Sequence, residues 1–573
     1  MNRASTWKPL VVLGTAQFLM VLDASVMNVS ISRLVEDFDT EVTTIQAVIT
    51  LYTLVMAAFM LTGGKIGDMF GRRRVFVVGL VVYGVGSGLT AVAPTVGVLA
   101  VGWSVVEGLG AALVLPALAA LVAGSYRGRE RAVAYGVVGG LAGAGIAVGP
   151  LLGGWVTTYL TWRLVFAGEV VLVLAILLLM RWIPAQPAPA VRPRLDVTGA
   201  VLSAAGLALV VLAVLQSGSW GWVEPRNPPF TVLGFAPTLF VVALGAALLY
   251  AFCAHERHRE RRGATPLVSL ALFGNRPLRA GLVALFNQNT VLLGLFFVIP
   301  LYLQVVQGLN AFETGLRLLP VSVTMLVTSM CGSLLLRVAS PRAVVRAGLL
   351  VLLAATLWLI AAIRPELAGA SFGWAMALLG TGLGMLASQL GNTVQSSVRT
   401  SERSEAGGLQ YTAQNLGSSL GTALIGAILI GALATSVTAR IEGDPRVSAA
   451  VAQQVGTQVE AGISFVPADQ VSAALATHPE VPPQEAATLV DHYRDAQIQG
   501  LKSAVLACAV ITAGALLFTR HLPADRRPSG PEPDATGDGD DDGDDEGEGR
   551  GQGRGEGRGE DATGGDGGAS RSR

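Results

Sequence analysis

Long apolar windows recur along almost the whole chain, and nothing else limits its fold so strictly. A stretch of about twenty residues with few charges is long enough to cross a bilayer. Such windows fall at about 10–32, 45–64, 74–93, 97–122, 131–158, 163–183, 197–216, 231–252, 279–304, 314–337, 342–362, 371–396, 407–433 and 499–519. Composition agrees: 52% of residues are hydrophobic and 14% charged, against roughly 25% charged in an average soluble domain. The expected fold class is an all-α integral membrane protein with about fourteen transmembrane helices. The first window is too long for a signal peptide and lacks a small-residue cleavage site, so it reads as an uncleaved span.

Loop charge checks the count independently, because arginine gathers in cytoplasmic loops. With the N-terminus inside, the inside loops hold Lys65 with Arg72, Arg73 and Arg74, then Arg127, Arg129 and Arg131, then Arg181, Arg192 and Arg194. The segment H-E-R-H-R-E-R-R follows, then Arg337, Arg342 and Arg346, then Arg399 and Arg403, and finally Arg520, Arg526 and Arg527. Losing one span would invert every later loop, so both termini are expected in the cytoplasm. The plasma membrane of a bacterium is the expected location.

The outside loop at 434–498 is polar and Ala/Gln-rich, and short amphipathic helices are expected there. They form either a cap over the outer mouth or a decorated surface loop. The tail at 522–573 is Gly/Asp/Glu/Arg-rich and cannot bury enough apolar surface to offset its ordering entropy, so disorder is expected. Cys253, Cys331 and Cys508 are isolated in apolar stretches and read as small core residues, with neither metal-ligand spacing nor a disulfide framework. All five histidines lie outside the spans. No G-x4-G-K-[ST], H-E-x-x-H or G-x-S-x-G occurs, so ATP-driven pumping, metalloprotease and serine hydrolase chemistry find no support. No enzyme activity, metal or other cofactor is expected, and no nucleic-acid partner.

The fifth span carries Gly136, Gly145, Gly149-Pro150 and Gly153-Gly154. Small residues four apart let membrane helices approach closely, and proline bends a helix. Such a helix suits a gate between two halves, unless the glycines are merely frequent, as they are elsewhere in this chain. The series G-x8-G-x3-G-P-x2-G-G resembles the antiporter motif of the drug/proton exporters of the major facilitator superfamily. G-K-I-G-D-M-F-G-R-R-R (64–74) resembles that superfamily's cytoplasmic-loop signature, and L-D-A-S-V-M-N-V-S in span one is similar to the L-D-x-T-x-V-N-V-A of its fourteen-span members. The likeness extends to about residue 520, including L-Q-V-V-Q-G-L-N-A-F-E-T-G-L-R-L-L-P around spans nine and ten.

The resemblance implies the major facilitator fold: two six-helix bundles plus two extra helices. The bundles would span 1–183 and 279–521, with the extra pair at 184–255 and a basic amphipathic linker at 256–278. It implies alternating access, with protons driving export of a lipophilic compound by a monomer. It also implies a cytoplasmic gate at Gly64, Gly67, Asp68, Gly71 and Arg72, where the plain reading is a topology signal. Two departures stand out. Met69 replaces the usual Arg, and S-V-V-E-G-L-G replaces R-x-x-Q-G-x-G in span four, so Ser104 and Glu107 stand where an Arg credited with proton transfer and a Gln are usual.

Carboxylates inside spans are expensive and functional by default, and three occur: Asp23, Glu107 and Glu169. About 1.5 Å of rise per residue puts them at comparable depth. They are the expected proton-coupling residues, Glu107 and Asp23 foremost, with a structural hydrogen bond as the alternative for each. The other half offers amides at similar depth. Acids facing amides suggest substrate held between, with Asn28, Asn287, Gln288, Gln304, Gln410, Gln414 and Asn415 as cavity candidates. Two other functions remain open: a dedicated exporter of one endogenous metabolite, and a membrane sensor or scaffold signalling through the tail.

Overall fold

In the computed structural model, residues 7–522 are described, except 41, 185–194, 226–227, 368, 449–450, 454, 457–458, 460–462, 464 and 478–481. The expected disordered tail thus lies almost wholly outside the described residues, as do Arg192 and Arg194. Among the described residues, fourteen helices are long and apolar enough to cross a membrane. Among the described residues the regular elements are helical, apart from an isolated bridge between Val232 and Phe235.

The first six spans are α1 (Lys8–Asp37), α2 (Val42–Phe70), α3 (Arg72–Ala91), α4 (Val96–Ser125), α5 (Gly128–Tyr159) and α6 (Arg163–Leu179). Next come α7 (Val197–Trp220) and α8 (Thr238–Arg261). Then follow α9 (Arg276–Leu301), α10 (Ala311–Val338), α11 (Pro341–Ala362), α12 (Gly369–Ser396) and α13 (Arg403–Glu442). A short α14 (Ala468–Ala476) precedes the last span, α15 (Pro483–Phe518). Local sequence sets several starts. The Asp196 side chain caps α7 by accepting from the Gly199 N–H at 3.0 Å, and Asn310 with Glu313 forms a capping box on α10; both satisfy donors a helix cannot satisfy itself.

In the first bundle α1 packs on α5 and α6, α4 on α2 and α3, and α3 on α6. In the second, α9 packs on α13 and α15, and α12 on α10 and α11. The bundles meet where α5 lies along α10 and α12, and where α13 lies along α2 and α4. Lipid is as apolar as leucine, so close packing rather than water expulsion holds such helices together. Buried Leu13, Leu19, Phe76 and Leu118 fill the first bundle, and Leu295, Leu352, Leu383 and Leu501 the second. Val171, Leu178, Leu334 and Leu517 face outward, as lipid contact requires.

The extra helices form an antiparallel pair, α7 against α2 and α13 with α8 outside it. Only 17% of the α8 window is buried, against 78% for α4, so α8 presents most of its surface to lipid.

Two spans overrun the bilayer. α13 has 40 residues, or about 60 Å of helix, twice the roughly 30 Å hydrocarbon core. A helix of that length must project past the core at one end, and its far end packs with the first turns of α15 and with α14. They share a core of Leu433, Val437, Ile441, Val447, Val451, Leu489 and Tyr493, making a small extramembrane lobe from the 434–498 loop.

Candidate functional site

The three intramembrane carboxylates converge. One oxygen each from Asp23 (α1), Glu107 (α4) and Glu169 (α6) lies within 4.8 Å of the others, and all three side chains are buried. Glu107 ends an eight-residue π-helical stretch of α4, Ala100–Glu107. Wider turns of this kind re-aim side chains and recur at functional sites. The same stretch supplies Trp103, whose indole N–H donates to Asp23 at 2.8 Å. It also supplies Ser104, whose hydroxyl donates to the Val48 carbonyl at 2.7 Å.

Tyr52 stacks on Trp103, ring centroids 4.4 Å apart. Glu169 accepts from Ser87 at 2.9 Å and from Tyr83 at 3.4 Å. Neither oxygen of Glu107, nor the second oxygens of Asp23 and Glu169, nor the Tyr52 hydroxyl has a hydrogen-bond partner among the described residues. Carboxylates this close and out of water cannot all carry charge. Such a site can share protons or ligate a cation.

These neighbours come from α2, α3 and α4, all in the first bundle. The picture of acids facing amides across a shared space is therefore corrected. The trio turns into its own bundle, with Glu107 at the end of the π-helical stretch.

Four of the residues expected to form a gate meet the second bundle at the Arg-rich face. The Glu405 N–H donates to Asp68 at 3.1 Å. Arg72 donates to Asp68 at 3.3 Å, to Ser404 Oγ at 2.8 Å and to the Thr400 carbonyl. Lys65 stands 3.8 Å from Glu405. Gly64 makes the approach possible, since a Cβ there would stand 2.7 Å from the Ser404 carbonyl oxygen, and Gly67 faces Ser404 beside it. Gly71 serves differently: its φ of +94° starts α3 in a conformation other residues rarely adopt.

The span-five glycines divide between two partners. A Cβ on Gly136 would stand 2.2 Å from the Ser329 carbonyl oxygen on α10, across the bundles; one on Gly149 would stand 2.2 Å from Ser25 Oγ on α1, inside the first. Gly145 and Gly153 also pack on α1, against Val21 and Val26, and Gly154 is buried. The side chain of Pro150 lies outside the described residues.

The cavity candidates scatter. Gln288 and Gln410 are buried, and Gln410 keeps a carbonyl oxygen with no partner among the described residues. Gln414 is half-buried nearby. Asn415 is committed locally, donating to the Tyr411 carbonyl at 3.0 Å and lying 3.2 Å from the Met60 sulfur. Asn287 bonds its own helix at Val283. Gln304 is exposed just beyond α9, in the stretch Tyr302–Val306, and the Asn28 side chain lies outside the described residues.

Sequence reasoning missed Trp103, Tyr52, Ser404, Glu405 and the buried Tyr411–Gln17 bond of 2.9 Å between the bundles. Only the tertiary fold joins these positions. Glu405 alone left a signal, as an acid opening a span beside an Arg-rich loop.

A second cluster sits at the Arg-rich end of the extra pair, where Asp196, His255 and Glu256 offer oxygens and nitrogen within 4.8 Å. Arg259 already stands 3.2 Å from Asp196. Burial opposes the Asp196 charge, yet the Gly199 N–H, His255 and Arg259 more than offset it and hold the carboxyl below its ordinary range.

Residues 13–422 match the Major Facilitator Superfamily. The chain is 31% identical over 453 residues to a probable actinorhodin transporter of Streptomyces coelicolor, covering 77% of this chain and 75% of the relative. It is 28% identical over 543 residues to a tetracenomycin C resistance and export protein of Streptomyces glaucescens, covering 92% and 94%. It is 28% identical over 512 residues to the multidrug efflux pump LfrA of Mycolicibacterium smegmatis, covering 89% and 95%. Among solved structures, the proton:xylose symporter XylE aligns with a TM-score of 0.52 at 13% identity, over 91% of this chain and 98% of that one. The human organic anion transporter MFSD10 aligns with the same TM-score at 12% identity, over 90% and 98%, and both likenesses concern the fold alone. With its fourteen spans, its two bundles and these relatives, the chain belongs to the Major Facilitator Superfamily.

Proposed function

We propose that this protein exports lipophilic compounds from the cell in exchange for protons, the two bundles rocking about a central site. The carboxylate trio carries this reading. Three acids buried within hydrogen-bonding reach of few donors form a store that gains and loses protons during a cycle, and a buried carboxylate without such a task is a standing cost. The relatives named for export and efflux support the outward direction.

The distribution of loop arginines supports reading the Arg-rich face as the cytoplasmic one, with both termini inside. The bonds from Asp68 and Arg72 to Thr400, Ser404 and Glu405 then latch the cytoplasmic end. Opening toward the cytoplasm breaks them, while the tight α5–α10 contact acts as the pivot. Substrate would be held between the bundles near Gln17, Gln410, Gln414 and Tyr411. Alternating access with a midplane site is the usual economy of this fold type. The proton gradient supplies the drive, with no cofactor.

Inverted membrane vesicles test the reading. With a panel of fluorescent dyes plus actinorhodin and tetracenomycin C, proton release on adding substrate is the expected result, abolished by a protonophore. No proton movement with any compound would overturn it. Response to one compound alone would mark a dedicated exporter instead.

A further inference from the structure

We propose that the linker between α8 and α9, residues 262–275, is a third arm of the gate, with Ser269 as the residue that positions Glu405. The proposal rests on the rocking-bundle reading above for its consequence. The segment joining α12 to α13, with the first turn of α13, is gripped from two sides. From the first bundle come Asp68, Arg72 and Lys65. From the opposite side comes the linker: the Ser269 N–H donates to a Glu405 carboxylate oxygen, and the Asn275 side chain donates to the Ser397 carbonyl. Glu405 is thus shared, one oxygen toward Ser269, the other toward Lys65 at 3.8 Å, and its own N–H on Asp68.

The linker is itself pinned to the extra pair. Glu256 accepts from the Leu267 N–H at 2.7 Å. Glu260 accepts from the Leu270 N–H at 2.8 Å and from the Ser269 hydroxyl at 3.2 Å. Arg259 donates to the Thr265 carbonyl at 3.0 Å, and Leu267 and Val268 are buried. α7, paired with α8, lies on α2 and α13, the two helices whose ends make the gate. An unbroken series of bonds therefore runs from the inserted pair through Ser269 to Glu405, Lys65 and Asp68. Charge-assisted bonds in such a series are the stronger kind. The inserted helices act as a brace that keeps Glu405 aimed at the first bundle, so removing the brace opens the latch without touching it.

Ser269 allows a clean test, because its φ of −67° suits proline, which removes the N–H, while the hydroxyl bond to Glu260 is lost in proline and alanine variants alike. Spin labels at Phe70→Cys and Arg399→Cys, both exposed, would report the gap across the gate by pulsed dipolar spectroscopy. The full chain would be studied in nanodiscs, with Cys253, Cys331 and Cys508 replaced. Wild type and Ser269→Ala, which keeps the N–H, are expected to share a short distance distribution. Ser269→Pro should move at least about threefold more pairs to long distances, a shift near 0.6 kcal/mol by RT ln 3. Glu260→Ala, which frees the linker without altering its backbone, should shift it in the same direction and decides alone if the proline variant fails to insert. Unchanged distributions in both would overturn the proposal, as would an equal shift in Ser269→Ala. The readout is distance, not flux, so a failure of the export reading would leave these distances as expected while the vesicle assay stayed silent.

Discussion

Arg72 reaches from the first bundle to the second and donates its Nε–H to Ser404 Oγ at 2.8 Å, while the same guanidinium holds Asp68 and the Thr400 carbonyl. A planar fork satisfies three acceptors at once, which a lysine cannot reproduce. Arg72→Lys should therefore weaken the latch although charge is kept. Losing the shared bonds of a buried charge is worth about 2–4 kcal/mol, so dye efflux should fall at least about tenfold at unchanged protein level. Ser404→Ala removes one neutral acceptor and should cost about 1 kcal/mol. Flux in vesicles, normalised to inserted protein, checks both; equal effects from the two would contradict the fork argument.

Gly136 separates pivot from filler. Its Cβ would enter the Ser329 backbone carbonyl, which cannot turn aside, whereas one on Gly153 would meet the Val26 side chain at 2.9 Å. Gly136→Ala should cost about 1–3 kcal/mol by overpacking and cut transport severely by wedging α5 from α10. Gly153→Ala, inside one bundle, should lower thermal stability by less and keep more flux. Thermal unfolding in detergent and vesicle flux measure the two effects separately.

The helices and the family likeness were legible because apolar length and loop charge are written into consecutive residues. The trio was half legible. A rise of about 1.5 Å per residue put Asp23, Glu107 and Glu169 at one depth, but depth says nothing of rotation about each helix axis. A π-helical stretch also shifts the phase of a helix, and no residue between Ala100 and Glu107 announces one. Hence the acids were expected to face the other half and instead face one another. The gate shows the same boundary. Asp68 and Arg72 announce themselves by motif, while Ser404 and Glu405, more than 330 residues on, become partners only when the bundles close.

Glu107 carries the sharpest prediction on coupling. Neither of its oxygens receives a hydrogen bond among the described residues, so it is the member of the trio least able to bear charge unaided. Glu107→Gln keeps shape and removes the exchangeable proton. The variant should insert and bind dye normally, yet release no protons on adding substrate. Trp103→Phe, which keeps the stack on Tyr52 but strips the donor from Asp23, should leave coupling present and cost about 1–3 kcal/mol from the orphaned acceptor. A pH-sensitive dye sealed in the vesicle lumen distinguishes the two; full proton release by Glu107→Gln would exclude it from the coupling route.

The extramembrane lobe makes a pH prediction that lies apart from transport. Asp444 accepts from the Arg446 side chain and backbone N–H and pairs with His492 at 2.8 Å. The Arg446 bonds, with His492 beside them, hold its carboxyl below its ordinary value. A depressed carboxyl contributes stability that is present above the unfolded value, about 4, and fades as pH falls through the folded one. The lobe should thus keep its packing at pH 5 and loosen only in stronger acid. Asp444 ties Arg446 and His492 to the end of α13, so loosening should appear as lower amide protection, relative to intrinsic exchange at each pH, in 437–448 and 485–496 while protection in α9 is unchanged. In Asp444→Asn, protection in those segments should already be lower at neutral pH and change little on acidification. A wild-type lobe whose protection fell between pH 7 and 5 would show that another group controls it.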